Sequence, residues 1–401
     1  MVKIESFAVE DWMDRFETTP NVLNIAETCA ASVSVDDLVR LCEDKDAPGP
    51  FSSSDKLTYG AIRGSETLRE RIAALYDRES AAEPLPADNV LVTQGAISAN
   101  FLALYTLVGP GDHVICVYPA YQQLYSVPES LGAEVSLWKL KEENGYVPDV
   151  NELEGLVKSN TKLIVINNPN NPTGATIPTT VLTQIVAFAQ QRNIIILSDE
   201  VYSPLYHSLP SSSPSSGPPS ILALGYPNTI ATGSMSKAFS LAGIRTGWLA
   251  SRDRSLIESG AAVRHYTTIS VSQLDDRVAS YALSPPVVRP LLARNMALAK
   301  KNLGLLAEFV EKYGEVCSWV RPTAGTTALV GFRNRKGEWV EDEEFAKDVL
   351  NRVNVMFVPA APCFGRGGDF RGFVRIGYVC ETEVLVEGLK RLGEYVDENL
   401  R

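Results

Sequence analysis

The chain has 401 residues, 45% apolar and 21% charged, with a formal net charge of −11. That length exceeds what one hydrophobic core fills, so two or more domains are expected. The acidic balance argues against nucleic acid or an anionic membrane as partner, since both attract basic surfaces.

No apolar run reaches the ~20 residues that cross a bilayer. Residues 1–16 mix Lys3, Glu5, Glu10, Asp11, Asp14 and Arg15 with apolar residues and hold no signal-peptide core, so a cytoplasmic location is expected. The six cysteines (Cys29, Cys42, Cys116, Cys317, Cys363, Cys380) are too scattered for a zinc knuckle or redox motif.

The first fifty residues hold short apolar segments at 12–16 and 22–26 and a short helix at 36–42, then a loop over 48–54. Residues 1–50 read as an arm that packs on a partner or on the C-terminal part. Leu68, Ile72 and Leu75 fall at helical spacing behind Ser65, a candidate N-cap. From Asn89 short apolar runs alternate with helices. Strands are predicted at 90–93, 114–117, 134–138, 163–167, 194–197, 229–232 and 246–250, and helices at 98–108 and 180–191. Continuously apolar strands of this kind imply a mostly parallel central sheet flanked by helices. Ligands bind beyond the carboxyl ends of such strands.

The Ser/Pro-rich segment 208–220 reads as a mobile surface loop that can hardly pack. After Ser284-Pro-Pro286 come a long polar helix (288–313), strands at 327–332, 355–358 and 373–377, and a last helix at 382–399. These form a smaller α/β domain, giving an arm (1–50), a large domain (51–285) and a small one (286–401).

Unusual residues cluster at the strand ends. Asp199, in Asp199-Glu-Val-Tyr202, would be costly to bury without a cationic partner such as a protonated heterocyclic nitrogen; the alternative is a cap on the next segment. Asn167-Asn-Pro-Asn-Asn-Pro-Thr-Gly174 offers amide hydrogen bonds on a backbone held by two prolines, or is simply a stiff turn. Val92-Thr-Gln-Gly-Ala-Ile-Ser98 runs from strand into helix, so N–H groups near Gly95, Ala96 and Ile97 point at any anion placed there. Ser234, Ser236 and Arg245 surround Lys237 and add hydroxyls and a guanidinium fork. An isolated lysine is usually a surface charge. Here Asn171, Asp199 and Lys237 all fall at or beyond predicted strand ends.

With Asn167-Asn-Pro-Asn-Asn-Pro-Thr-Gly174, Asp199-Glu-Val-Tyr202 and Ser234-Met-Ser-Lys-Ala-Phe239 in series, the chain resembles the class I/II aminotransferases, fold-type I enzymes that use pyridoxal 5′-phosphate (PLP). The resemblance runs from about residue 21 to the C-terminus. It implies that Lys237 forms the internal Schiff base and shuttles the substrate Cα proton. It implies too that Asp199 keeps the pyridine nitrogen protonated, that Asn171 and Tyr202 hold the phenolic oxygen, and that Tyr121, in Tyr118-Pro-Ala-Tyr121, stacks on the ring. Ala96, Ile97, Ser234, Ser236 and Arg245 take the phosphate. Tyr59, in Thr58-Tyr-Gly-Ala-Ile-Arg-Gly64, matches a tyrosine lent to the phosphate of the neighbouring subunit, which implies a homodimer with shared sites. Arg375, in Phe373-Val-Arg-Ile-Gly377, matches the arginine that forks onto the substrate α-carboxylate.

Three segments depart from the family pattern. Ile25-Ala-Glu-Thr-Cys29 stands where many members are Gly-rich, so Glu27 or Thr28 faces the substrate and suits a polar or basic side chain. Pro359-Ala-Ala-Pro-Cys-Phe-Gly365 replaces the usual Pro-Gly-Ser, and Ala96 and Ile97 lack the common hydroxyl. The expected activity is amino transfer between an amino acid and a 2-oxo acid. The same fold also hosts elimination, replacement and cyclisation, as in relatives resembling capreomycidine synthase, and Val9-Glu-Asp-Trp-Met13 with the Glu27 segment keeps that outcome open. A PLP-binding protein without catalysis is the third reading, disfavoured by Lys237, Asp199 and Arg375.

Overall fold

The computed structural model describes residues 3–77, 83–211, 213–214, 216–366 and 368–401. Seven strands form the central sheet: β1 (Val90–Thr93), β2 (His113–Tyr118), β3 (Glu134–Lys139), β4 (Thr161–Asn167), β5 (Ile195–Asp199), β6 (Thr229–Ser234) and β7 (Gly247–Ser251). Their order is β1-β7-β6-β5-β4-β2-β3; β7 runs antiparallel to β1 and β6, and the remaining pairs are parallel. The inner strands are buried along most of their length, which is why β2, β4 and β5 read as unbroken apolar runs. On the edge strand β3 only Trp138 is fully buried.

Register matters for the site. Asn167 at the end of β4 pairs with Asp199 at the end of β5, and Asp199 with Thr232 in β6. Gly247, at the start of the antiparallel β7, lies between Thr93 and Ser234. Four carboxyl strand ends and one amino end therefore share an edge.

A second, antiparallel sheet has the order β10-β11-β9-β8, from β8 (Cys317–Trp319), β9 (Thr327–Phe332), β10 (Val358–Pro359) and β11 (Phe373–Gly377). Leu23–Asn24 pairs in parallel with Val355–Met356 as a separate ribbon. The single strand expected at 355–358 is thus two half-strands, because Phe357 marks the point where the chain leaves one sheet for the other. Near the N-terminus, α1 (Ala8–Phe16) buries Val9 and Trp12, and the Trp12 indole donates to the Phe357 carbonyl at 3.0 Å.

Helix α2 (Gly95–Leu107) begins three residues earlier than expected, so Gly95, Ala96 and Ile97 form its first turn. The helix is apolar enough to lie buried across β6 and β7. Ser65 does cap the helix Glu66–Asp77, accepting from the Leu68 N–H at 3.2 Å.

The Ser/Pro-rich segment 208–220 packs in part, against the expectation that it can hardly pack; Ser212 and Ser215 lie outside the described residues. Gly217 and Pro218 are buried, a Cβ at Gly217 would meet the Tyr206 ring, and Ser220 caps the short turn Ile221–Ala223. Proline and glycine lose little side-chain entropy on packing, which lets so polar a stretch seat part of itself. Among the described residues no helix is long and apolar enough to cross a membrane.

Candidate active site

A cavity of about 360 Å³ opens at the strand-end edge of the central sheet. Its walls include Glu27, Thr28, Ala96, Ile97, Tyr121, Asn171, Asp199, Tyr202, Ser234, Ser236, Lys237, Arg245 and Arg375. Asn167 and Asn171 follow from the end of β4, Asp199 and Tyr202 from β5, and Ser234, Ser236 and Lys237 from β6. Arg375 reaches the cavity from the middle of β11, where it pairs with Leu329 and Val358.

Asp199 is 3% exposed. Its Oδ2 accepts from Asn100 Nδ2 at 2.8 Å and its Oδ1 from the Val201 N–H at 3.2 Å. Burial pushes its pKa up to about 6, with those two donors and the Lys237 charge pulling the other way. Among the described residues no Lys or Arg nitrogen pairs with this carboxylate within 4 Å, so a cation placed against it would gain an uncompensated partner.

Lys237 Nζ donates to Thr28 Oγ1 and lies 3.5 Å from Cys29 Sγ. Burial depresses its pKa, but the negative charge that Cys29, Tyr202 and Glu27 carry when ionised outweighs burial, and the net displacement is upward. Burial in turn raises the Cys29 thiol to about 11 and raises the Tyr202 phenol. Both are therefore protonated at neutral pH, and the charge that then faces the ammonium is Glu27. The Glu27 carboxylate accepts from the Thr28 and Cys29 N–H groups at 2.7 and 3.0 Å. Burial opposes its ionisation, but Lys237 and these donors hold its pKa below the usual range.

The anion end is built by close approach. Helix α2 has no side-chain cap and no acidic residue in its first turn, so its N–H groups remain available. Gly95 has φ +74°, and a Cβ there would meet Arg245 Nη2 at 3.1 Å. A Cβ on Gly247 would meet the Gly95 carbonyl carbon at 2.3 Å. Two glycines thus let the guanidinium, β7 and the helix start converge. Ser234 Oγ donates to Ser236 Oγ at 2.9 Å and accepts from the Ser236 N–H at 3.0 Å; Arg245 Nη1 reaches Ser236 Oγ at 3.4 Å. Arg245 Nη1 also donates to the Ala242 carbonyl at 3.2 Å, and among the described residues no carboxylate is paired with this guanidinium. An uncapped helix start, a guanidinium with no carboxylate beside it among the described residues, and serine hydroxyls suit a phosphate, and the buried Asp199 suits a protonated ring nitrogen, so this donor set fits PLP.

Arg375 is 3% exposed; its Nη2 donates to the Ala26 carbonyl at 3.0 Å, its Nη1 to Asn171 Oδ1 at 3.4 Å, and its Nε has no partner. Gly95 stands behind the wall. Tyr59 is not brought to this cavity: it is 92% exposed and borders another surface pocket.

Sequence reasoning missed Asn100, Cys29, Glu10, Met13 and Glu17. Asn100, an amide on the apolar face of α2, carried a signal, because a buried amide needs a partner. Glu10, Met13 and Glu17 line the cavity from α1 and its end, with Tyr121 Oη donating to Glu10 Oε1 at 2.6 Å.

Similarity to known proteins agrees with the geometry. A PLP-dependent aminotransferase from Streptococcus suis superposes with a TM-score of 0.86 at 35% identity over 99% of both chains. The capreomycidine synthase of Streptomyces vinaceus is 29% identical over 86% of this chain and 83% of its own. The aspartate aminotransferase of Pyrococcus horikoshii is 29% identical over 83% and 82%. Residues 45–392 match the family model for aminotransferase class I and II. The fold is therefore fold type I with PLP as its cofactor, and the chain belongs to the class I and II aminotransferase family.

Proposed function

We propose that this protein is an aminotransferase that moves an amino group between an amino acid and a 2-oxo acid, with Lys237 as its acid and base. The observation that carries the reading is the convergence of Lys237, Asp199 and Arg375 on one cavity. When bound, PLP supplies the electron sink that lets the substrate Cα release its proton.

The chain's own residues do the rest. Asp199, kept in place by Asn100, faces the ring nitrogen with a negative charge. The start of α2 with Ser234, Ser236 and Arg245 grips the phosphate, Asn171 and Tyr202 take the phenolic oxygen, and Tyr121 covers the ring. Arg375, which lines the cavity, binds the substrate carboxylate. Lys237 then stands where it can take the Cα proton and return it, steadied by Thr28. Glu27 contacts the substrate side chain and helps select the amino donor.

The same reading assigns residues 51–285 to cofactor binding and 286–401 to a smaller domain, with 1–50 as an arm, in a cytoplasmic homodimer. Support for the dimer comes from the exposed Leu57, Tyr59 and Tyr266 and from an apolar groove lined by Phe101, Leu102 and Tyr105. Ile97 borders both groove and cavity, so a second copy seated there would abut the site.

A second reading, elimination or cyclisation along the side chain after proton loss from the same Cα, is favoured by the capreomycidine synthase relative. Incubation with 15N-labelled amino acids and unlabelled 2-oxo acids separates the two. Label in a new amino acid supports transfer; free ammonia or a cyclic product supports the second reading and contradicts the first.

A further inference from the structure

Besides Asp199, three carboxylates line the cavity, and two of them, Glu10 and Glu17, have no role at the cofactor end. Glu10 and Glu17 come from α1 and its C-terminal boundary, and Glu27 from the loop that follows. Glu10, Met13 and Glu17 stand three and seven residues apart, one face of a helix. Trp12, from the same helix, is buried and bonded to Phe357, and Gln122 ties the segment down by accepting from the Ala8 N–H and donating to the Ser6 carbonyl. The helix is thus fixed with acidic side chains toward the cavity. None of the three has a lysine or arginine within 4 Å among the described residues, although the chain forms many surface ion pairs elsewhere. The hydrogen bond from Tyr121 occupies one oxygen of Glu10, and backbone N–H groups occupy one of Glu27.

An acidic helix face alone would be a solvated surface. The second observation is Arg375: nine-tenths buried, lining the same cavity, without a carboxylate partner and with Nε unpaired. It calls for an anionic ligand group at one end of a cavity whose cover is negative. A zwitterionic amino acid with a further positive charge at its tip satisfies both.

We infer that the cavity takes a basic amino acid, its α-carboxylate on Arg375 and its guanidinium or ammonium tip on Glu10 and Glu17, with Glu27 adding to the same field. This rests on the amino-acid reading of the site. Acidic side chains are disfavoured by the same carboxylates, because like charges brought together repel, although the exposure of Glu10 and Glu17 to solvent moderates the effect.

The test uses the holoenzyme. 5-Guanidinopentanoate carries the carboxylate and the guanidinium but no amino group to react, and heptanoate is its neutral-tailed control. Calorimetry should show the guanidino acid binding at least tenfold more tightly, and the advantage should collapse in the E10Q/E17Q double variant. In parallel, kcat/KM for L-arginine or L-lysine should exceed that for L-citrulline and L-norleucine at least tenfold, the difference residing mainly in KM. Equal binding of the two acids, or citrulline as good a substrate as arginine, overturns the inference even if the variant fails to fold. If no amino acid changes the cofactor absorbance, the amino-acid reading itself fails, and this inference with it.

Discussion

Asn100 bridges two strands beneath the site: its Nδ2 donates to Asp199 Oδ2 at 2.8 Å while its Oδ1 accepts from Thr232 Oγ1 at 2.6 Å. The amide is fixed at both ends, so it holds the carboxylate in one orientation. Asn100→Ala removes what is, among the described residues, the one side-chain donor to a buried charge, which makes ionisation harder. The acid limb of the pH profile for PLP binding should move to higher pH by about one unit, the equivalent of a ~1.4 kcal/mol hydrogen bond. Absorbance titrations at several pH values check this, and a uniform loss of affinity with no shift would contradict it.

Asp199 also sets the pH response of the apoprotein. Its pKa rises from an ordinary 3.8 to about 6 on burial, so between these values the folded state binds more protons than the unfolded one. Stability from this residue is therefore largest at low pH and falls as pH rises through about 4 to 6, by up to ~3 kcal/mol. Burial raises Glu200 to about 7 as well, so the informative quantity is the difference between wild type and Asp199→Asn. Denaturant midpoints should show the variant gaining on wild type across this window; a difference independent of pH would refute the argument.

Tyr59 tests the shared site. In one chain it is exposed and does not line the cavity; in the proposed dimer its hydroxyl would reach the neighbour's phosphate. Tyr59→Phe should weaken PLP about 5–10-fold, the value of one hydrogen bond, while sedimentation still reports a dimer. Unchanged PLP affinity, or a monomeric wild type, would remove this role.

Gly247→Ala places a Cβ against the Gly95 carbonyl carbon and the Ala96 N–H, backbone that cannot swing aside. Helix α2 must then shift from β7. A loss of ~1–3 kcal/mol in apoprotein stability is expected from such overpacking, with a larger proportional loss in PLP affinity than Asn100→Ala causes. Thermal melts with and without PLP measure both.

Most of the sheet was legible because its strands are buried on both faces and carry turn signals at their ends. The cofactor-end residues were legible for the same reason: Asn171, Asp199 and Lys237 follow directly from strand ends, so local order in the chain fixes their shared edge. What could not be read depends on distant contacts. Helix α1 is only nine residues long, and its place over the cavity rests on Trp12 meeting Phe357 across some 345 residues of chain, so Glu10 and Glu17 gave no local signal. The helices Arg254–Arg264, Gln273–Ala282 and Asp342–Val353 were missed too; their apolar faces are interrupted by charged residues and settle only on packing. The split at Phe357 belongs to the same class, since two adjacent half-strands find partners in different sheets.

The central claim is that Lys237 is the covalent anchor of PLP. Borohydride reduction of the holoenzyme, followed by digestion and mass spectrometry, tests it directly. The account predicts a phosphopyridoxyl mass on the peptide holding Lys237, and its absence in Lys237→Ala, which should still bind PLP without turnover. An unmodified Lys237, or normal turnover by the variant, would contradict it.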